Sequence, residues 1–449
     1  MDRSRRAAVY FVLLAAAFLT TAAWAQTPTK YILQTTASAN SGLLASRYRF
    51  TIERSWAGER HVSYAITAAT AFTASEIQSL TGEPGVLELE ADSRIQAGGE
   101  QSIRTSAVLE TLNEQLLVKT PAAYFGSAVR TSYVDQPATR LIGLPKAQTG
   151  FPTGAGVVAI IDTGVDEKHP ALKNVLLPGY DFTRNLAGTA SEMADLDRST
   201  SAILDQSTVA ILDSKSYPLR LSQSTVAILD QSTVAILDGK QLPAAFGHGT
   251  MVAGLVHLIA PTARILPLKA FRGDGSSSLS DIVRAVYYAV DHGADVISMS
   301  FNLNTPSIEL ASAIAYATNH GVLCVASAGN DGQERKVYPA TLPKVIGVSS
   351  TNYSDKRSPF SNYGDSAKVA APGEAVITTF PGNNYAGAWG TSFSTPMVAG
   401  ALAIMRQVDP KLSYSGAMGV LEHGLEVSGD VGARLLLPAA FSECANNRN

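Results

Sequence analysis

Charge is scarce in this chain. Asp, Glu, Lys and Arg make up 16% of its 449 residues, below the roughly 25% usual in soluble domains. The two signs nearly cancel, with 35 Lys and Arg against 38 Asp and Glu for a net charge of -3. That excludes a disordered, highly charged chain. It also leaves no basic surface to follow a phosphate backbone, so nucleic acid is not an expected partner. Cysteine is nearly absent. Cys324 and Cys444 are too few for a disulfide framework, and the chain has no Cys-x-x-Cys and no Cys/His cluster with zinc spacing. Neither a metal site nor a cofactor is expected. What is plentiful is apolar surface: hydrophobic residues are 46% of the chain. The length corresponds to about three folded units at roughly 150 residues each, and is ample for a buried core.

The N-terminal segment carries an export pattern. Arg3, Arg5 and Arg6 precede an uncharged run from Ala7 to Ala23, and Ala23-Trp24-Ala25 fits the small-x-small rule for signal cleavage. The run is shorter than the ~20 residues a spanning helix needs. No other stretch has the length and apolarity to span a bilayer. Residues 1–25 are therefore expected to be a signal peptide cleaved after Ala25, with the rest secreted (extracellular or periplasmic) and free of the membrane. A bridge between Cys324 and Cys444 is open, but nothing in the sequence brings the two together.

Residues 26–97 read as a small α+β unit. Strand-like pieces lie at Tyr31 to Thr35, Arg49 to Ile52 and Val62 to Ile66, and a helix opens at Thr73 or Ser75 with Glu76 completing a cap. Residues 98–137 lack a long period and read as a linker with scattered helix. Residues 138–449 alternate short apolar runs with helical ones. Val157 to Ile161 is a β-branched strand, and Leu279 to His292 has helical spacing stopped by Gly293. Then follow a strand from Asp295 to Phe301, a helix from Ser307 to His320, and strands at Val322 to Ala326 and Val345 to Ser349. This cadence predicts an α/β fold, a mainly parallel central sheet flanked by helices, with functional residues at the carboxyl ends of strands.

One stretch breaks the pattern. Between Ser199 and Asp238 a unit recurs as Ser199-Thr-Ser-Ala-Ile-Leu-Asp205, Ser207-Thr-Val-Ala-Ile-Leu-Asp213, Ser224-Thr-Val-Ala-Ile-Leu-Asp230 and Ser232-Thr-Val-Ala-Ile-Leu-Asp238. Such self-similarity usually means stacked units. Here the stretch is short enough to read as an added β meander or loop inside the larger domain.

Three segments carry reactive groups. Asp162-Thr163-Gly164 follows the Val157 strand, which sends the carboxylate out at the strand's carboxyl end, where it can orient an imidazole. Gly247-His248-Gly249-Thr250 opens an apolar helix, and His248 can act as general base near neutral pH. Gly390-Thr391-Ser392 precedes the helical run Met397 to Val408, putting Ser392 beside free backbone N–H groups that stabilise developing negative charge. Each block alone is ordinary: a turn, a glycine-flanked histidine, a helix cap. Together, in the chain order Asp, His, Ser, they form the parts list of a catalytic triad.

With these blocks in hand, the chain from about Leu141 to Phe441 resembles the subtilisin-like serine proteases, or subtilases. Asp162-Thr-Gly-Val-Asp166 with His169-Pro170 resembles the family's aspartate block. Gly247-His-Gly-Thr-Met-Val-Ala-Gly254 resembles its histidine block, with Met251 where a second histidine is common. Gly390-Thr-Ser-Phe-Ser-Thr-Pro396 resembles its serine block. The resemblance implies a subtilisin-type serine endopeptidase acting on polypeptide substrates, with Asp162, His248 and Ser392 catalytic. Ser327-Ala328-Gly329-Asn330 resembles the oxyanion block, which implies that the Asn330 amide is an oxyanion donor. Ser300, Phe301, Asn302, Ser327 and Gly329 would lie along the substrate cleft. More weakly, residues 26–97 are similar to subtilase propeptides, which implies a partner supplied in cis that assists folding and occupies the active site.

Two departures from the family pattern are visible. Ser300-Phe301-Asn302-Leu303 stands where many subtilases have Ser-x-Gly-Gly, so the cleft wall is altered. Only Leu255 to Ala260 separates Gly254 from Pro261, where relatives with a strong calcium site carry a longer loop. The resemblance therefore implies no obligatory calcium there. It also leaves a second implication open, an inactive or narrowly specific subtilase-fold protein whose octapeptide repeats bind a partner.

Overall fold

The computed structural model describes residues 29–96, 120–196, 225–228, 243 and 245–446. The expected signal segment, residues 98–119 of the expected linker, and the repeats apart from 225–228 lie outside the described residues. The chain divides into two compact units, Met1–Ser93 and Arg94–Asn449.

In the first unit the strands are β1 (Lys30–Thr35), β2 (Phe50–Ala57), β3 (Val62–Ala68) and β4 (Val86–Ala91). They form an antiparallel sheet in the order β2-β3-β1-β4. Helices α1 (Ser41–Tyr48) and α2 (Ala74–Thr81) complete the α+β unit. The expected capping box is there: the Thr73 hydroxyl accepts from Glu76 N at 3.2 Å and Thr73 N donates to the Glu76 carboxylate at 2.8 Å. Two donors at the helix start are thereby satisfied. Tyr31, Leu33, Leu44, Phe50, Ile66 and Leu80 form its core.

The second unit begins with β5 (Arg94–Gln96), a hairpin of β6 (Pro121–Tyr124) and β7 (Ser127–Arg130), and the short helices α3 (Thr131–Val134), α4 (Pro137–Leu141) and α5 (Leu144–Gly150). Strands β8 (Val157–Asp162), β9 (Tyr180–Asp181) and β10 (Leu186–Ala187) follow, then a 3-10 turn at Glu192–Asp195 and β11 (Thr225–Ile228). Helix α6 (His248–Ile259) leads to β12 (Arg264–Lys269) and β13 (Ser276–Ser278), and α7 (Leu279–Asp291) to β14 (Val296–Met299). Helix α8 (Ile308–Asn319) is followed by β15 (Leu323–Ser327), β16 (Val345–Thr351), β17 (Val369–Pro372), β18 (Val376–Phe380) and β19 (Asn384–Trp389). Helices α9 (Thr391–Val408) and α10 (Tyr414–Leu421), strand β20 (Ala433–Arg434) and helix α11 (Leu437–Asn446) end the unit.

The central sheet has nine strands in the order β10-β9-β12-β8-β14-β15-β16-β17-β20. All pairs are parallel except β10 with β9 at one edge. This is the α/β architecture expected. Its central strands are continuous apolar runs because helices cover both faces. The chain leaves β8 for β12 on one side and returns to β14 on the other, so the strand order reverses at β8. A crevice at the carboxyl ends of the strands opens at such a point, and Asp162 is the last residue of β8.

Part of the stretch read from sequence as a linker is folded into this core. Tyr124, Val129 and Tyr133 are buried with the sheet and α6, and their hydroxyls reach across the packing: Tyr124 to Leu258 O at 2.5 Å and Tyr133 to Gly254 O at 2.6 Å. Hairpins and one-turn helices are too short to show a period, so the sequence pattern does not reveal them. The strand expected over Asp295 to Phe301 is shorter, ending at Met299, because Ser300 to Asn302 turn away toward α9. Thr225–Ile228, inside the third repeat, pairs antiparallel with β19, Thr225 opposite Trp389 and Ile228 opposite Ala386. Cys324 and Cys444 are both free and buried, so the open question of a bridge is answered in the negative. No helix among the described residues is long and apolar enough to cross a membrane.

Two buried histidines make this core sensitive to acid. His169 accepts from Ala171 N at 3.2 Å through Nδ1, so Nε2 carries the proton and donates to Asn384 O at 3.1 Å. His257 lies edge-on to Tyr124, ring centroids 5.7 Å apart. Burial pulls both imidazoles down to about 4, whereas in the unfolded chain they titrate near 6.5. Folded-state pKa values below the unfolded ones mean that the unfolded chain takes up protons first. This contribution to stability is therefore complete above about pH 6.5 and is lost as pH falls toward the folded values. The melting temperature is expected to fall between pH 7 and pH 5, and to fall less in a His257→Leu variant. Equal slopes for the two proteins would remove His257 from this account.

Candidate active site

The site is assembled where β8, β14 and β15 end and where α6 and α9 begin. Asp162 closes β8 and His248 opens α6. His248 Nδ1 lies 2.8 Å from Asp162 Oδ1, and the same oxygen accepts from Thr163 N at 2.7 Å. A carboxylate carries no proton to give, so Nδ1–H is the donor and Nε2 is left as the basic nitrogen. The Asp162 and His248 side chains are 4% and 13% exposed, which keeps water from competing for this bond. The imidazole also packs against Phe393, ring centroids 5.4 Å apart. Burial works to lower the His248 pKa, but the charge and hydrogen bond of Asp162 and the charge of Glu192 outweigh it, and the net direction is upward.

Glycine is required where α6 meets the loop after β8. A Cβ on Gly249 would lie 2.0 Å from Gly164 O, and one on Gly164, whose φ is +102°, would lie 2.4 Å from Ala190 O. Both contacts are with backbone, which cannot swing aside. The approach is completed by Gly249 N donating to the Thr163 hydroxyl at 2.9 Å.

Ser392 is the second residue of α9, in the turn whose backbone N–H groups lack helical partners. Its hydroxyl donates to Ser300 O at 3.3 Å and its own carbonyl accepts from the Ser300 hydroxyl at 2.9 Å. Asn330 follows β15, and its Oδ1 accepts from Thr391 N at 2.8 Å and from the Thr391 hydroxyl at 3.0 Å. Since a backbone N–H can only donate, the oxygen end of the carboxamide faces Thr391 and the amide nitrogen end is turned away from it. Gly329 N donates to the Thr391 hydroxyl at 3.2 Å, and the Ser327 hydroxyl donates to Phe301 O at 3.3 Å. Phe301 is buried, its ring against Phe271 with centroids 5.1 Å apart. A Cβ on Gly329 would fall 3.5 Å from Asn302 Nδ2. The structure thus brings Asp162, His248, Ser392, Asn330, Ser300, Phe301, Asn302, Ser327 and Gly329 to one end of the sheet. The Phe301 side chain is packed inside the unit, 5% exposed.

Sequence reasoning did not single out four residues that orient these groups. Thr163, Thr250 and Thr391 stand inside the motif blocks but look like spacers. Glu192 stands outside every block, in a polar stretch before the repeats. No spacing marks it, because its partners are 29, 55 and 58 positions away.

An acid, an imidazole and a serine at a helix start are thus gathered at the carboxyl ends of parallel strands. Comparison with known proteins is more specific. Residues 154–433 match the model of the subtilase family, peptidase family S8. A thermophilic serine proteinase of Bacillus sp. (strain AK1) is 34% identical over 258 residues, 55% of this chain and 51% of that protein. Thermitase of Thermoactinomyces vulgaris is 31% identical over 263 residues, 56% of this chain and 75% of that one. Subtilisin BL of Lederbergia lenta is 37% identical over 176 residues, 37% of this chain and 65% of that one. The alignment thus spans about half the length of the Bacillus proteinase and just under two thirds of the subtilisin. The chain belongs to the subtilase family.

The close approach of α6 to the β8 loop can be tested by one methyl group. Displacing reacting groups by about 1 Å can cost on the order of 10²-fold in rate. Gly249→Ala is therefore expected to lower turnover by about that factor and to lower the melting temperature. Unchanged turnover would show that His248 does not depend on the contact with Gly164.

Proposed function

We propose that this chain is a secreted serine endopeptidase that hydrolyses polypeptides through an acyl-enzyme. The observation that carries the reading is the Asp162–His248 bond at 2.8 Å beside a serine in the first turn of a buried helix. In this reaction His248 Nε2 takes the proton of Ser392 Oγ as Oγ bonds to the substrate carbonyl carbon. The oxyanion so formed is stabilised by the Asn330 amide and by the Ser392 backbone N–H. When the amide C–N bond breaks, His248 returns the proton to the leaving amine. Water then attacks the acyl-enzyme by the same route and frees Ser392. Asp162 holds the Nδ1–H tautomer throughout and stabilises the imidazolium.

The substrate lies, in this reading, along β13. The pairing that supports it is internal: Arg94–Gln96 adds to β13 as an antiparallel strand, Ser276 opposite Gln96 and Ser278 opposite Arg94. An extended peptide added to this edge uses main-chain hydrogen bonds for affinity, which suits an enzyme that must accept varied sequences. It also supports a propeptide role for residues 26–97, whose last strand, β5, occupies in cis the edge that a substrate strand would take. Secretion rests on the signal-like N-terminus.

Ser392→Ala is expected to abolish peptide cleavage and leave the chain unprocessed at its full precursor length, read by mass spectrometry. Retained casein hydrolysis with retained processing overturns the reading. Asn330→Ala is expected to lower kcat roughly 10²–10³-fold with KM little changed. The pH profile has a fixed sign. Only neutral His248 accepts the serine proton, and its pKa is raised above 6.5. Therefore kcat/KM should fall as pH drops through a value higher than that of a free histidine. A rate flat from pH 5 to pH 8 would exclude His248 as the base.

A further inference from the structure

Glu192 has no part in the steps above, yet it is fully buried behind them. It opens the 3-10 turn Glu192–Asp195, which the Ser191 hydroxyl caps by accepting from Met193 N at 3.3 Å. Its carboxyl meets three groups, and each adjoins a catalytic residue. The Thr163 hydroxyl donates to Oε2 at 3.0 Å, and Gly247 N donates to the same oxygen at 2.8 Å. The Thr250 hydroxyl bonds Oε1. Thr163 follows Asp162, Gly247 precedes His248, and Thr250 lies two residues beyond it. One side chain therefore bridges the loop that carries the acid and the helix start that carries the base.

The same turn makes a second attachment. Asp195 Oδ2 accepts from Lys269 Nζ at 2.6 Å and from Gly273 N at 2.7 Å. Lys269, itself fully buried, also donates to Thr163 O at 2.7 Å. Thr163 is thus held at its hydroxyl by Glu192 and at its carbonyl by Lys269. A buried carboxyl costs folding free energy that an apolar side chain of similar size would not, and the bonds to Thr163, Gly247 and Thr250 all reach the flanks of the catalytic pair.

We infer that Glu192 is a positioning residue for the Asp162–His248 pair, setting the distance between the two segments that carry them. The charged and titratable groups facing it are His248 on α6 and Lys269 on β12. Burial pushes its carboxyl up to about 8, against the opposing hydrogen bonds and the Lys269 charge. The neutral form keeps the same contacts: the carbonyl oxygen accepts from Thr163 and Gly247 while the acid proton is shared with Thr250. A glutamine can reproduce this pattern, with its oxygen at the Oε2 position and its amide donating to the Thr250 hydroxyl. An alanine cannot.

The inference rests on the proposed proteolysis, so the parent chain is assayed first. A parent that neither cleaves a peptide nor reacts with a serine-directed phosphonate would fail the functional reading itself. With an active parent, Glu192→Gln, Glu192→Ala and Thr250→Val are compared in the full chain, with rates expressed per phosphonate-titrated site so that unfolded molecules do not count. For Glu192→Ala, kcat is expected to drop about 10²-fold with KM within about two-fold, and the acid limb of kcat/KM to move. Glu192→Gln should restore kcat to within about three-fold of the parent. Two results would overturn the role. One is a Glu192→Ala variant that loses only melting temperature, with kcat per titrated site unchanged. The other is a Glu192→Gln variant as damaged as Glu192→Ala. Should Glu192→Ala fail to fold, Thr250→Val removes one bond of the bridge together with the acceptor of Asp166 N, and the same reduction in kcat at unchanged KM is then required of it, with Thr250→Ser, which keeps both bonds, expected to restore the rate.

Discussion

The contact on which the rest of the structure depends is the one between the loop leaving β8 and the first turn of α6. Asp162 and His248 are 86 positions apart, and local chain geometry does nothing to join them. They meet because β8 is a buried parallel strand at the centre of the sheet, because α6 is apolar around almost its whole circumference, and because two glycine backbones allow the helix start to touch the loop. A helix buried on all sides has little freedom to rotate or slide. The imidazole therefore inherits its orientation from the core. The hydrogen bond to Asp162 then selects the tautomer, and Phe393 on α9 ties the imidazole to the helix that carries Ser392.

The electrostatics behind this contact run against the composition of the chain. Charge is sparse overall, yet Asp181 and Lys269 are buried, Arg184 joins Asp181 to Asp195, and Lys269 meets the same Asp195. Buried ion pairs contribute little net stability, since desolvation offsets most of the attraction. What they do provide is geometry, because a wrong arrangement leaves a charge without a partner. Lys269 illustrates the point: its three protons meet Thr163 O, Asp195 and Phe271 O. That count leaves no donor over and no alternative position of equal energy.

Much of this was legible in the sequence, for reasons that can be named. Val157 to Ile161 reads as a buried strand because a parallel strand covered on both faces has no polar alternation. The Thr73–Glu76 box and the Gly293 stop are local signals that act over three or four residues. The Asp162, His248 and Ser392 blocks stand out because close backbone approach demands glycine beside each reactive group. What was not legible is set by distance or brevity. Tyr124 and Tyr133 enter the core from elements too short to show a period. The orienting role of Thr391 depends on Asn330, which is 61 positions away. Glu192 is read only through partners on two other segments.

The bridge at Glu192 and Asp195 bears on how the region around the repeats can change over generations. The turn ends at Asp195 and the chain is pinned again at Phe246 and Gly247, so both ends of the intervening segment are fixed to the catalytic unit. Between these two anchors, Thr225–Ile228 is itself held by its antiparallel pairing with β19. Tandem units such as Ser207 to Asp213 and Ser232 to Asp238 are also prone to duplication and loss when the gene is copied. A chain with more or fewer of these units would keep the same residues at both anchors. The hydrogen bonds of Glu192 and Asp195 would then be open to such a chain whatever the number of its units.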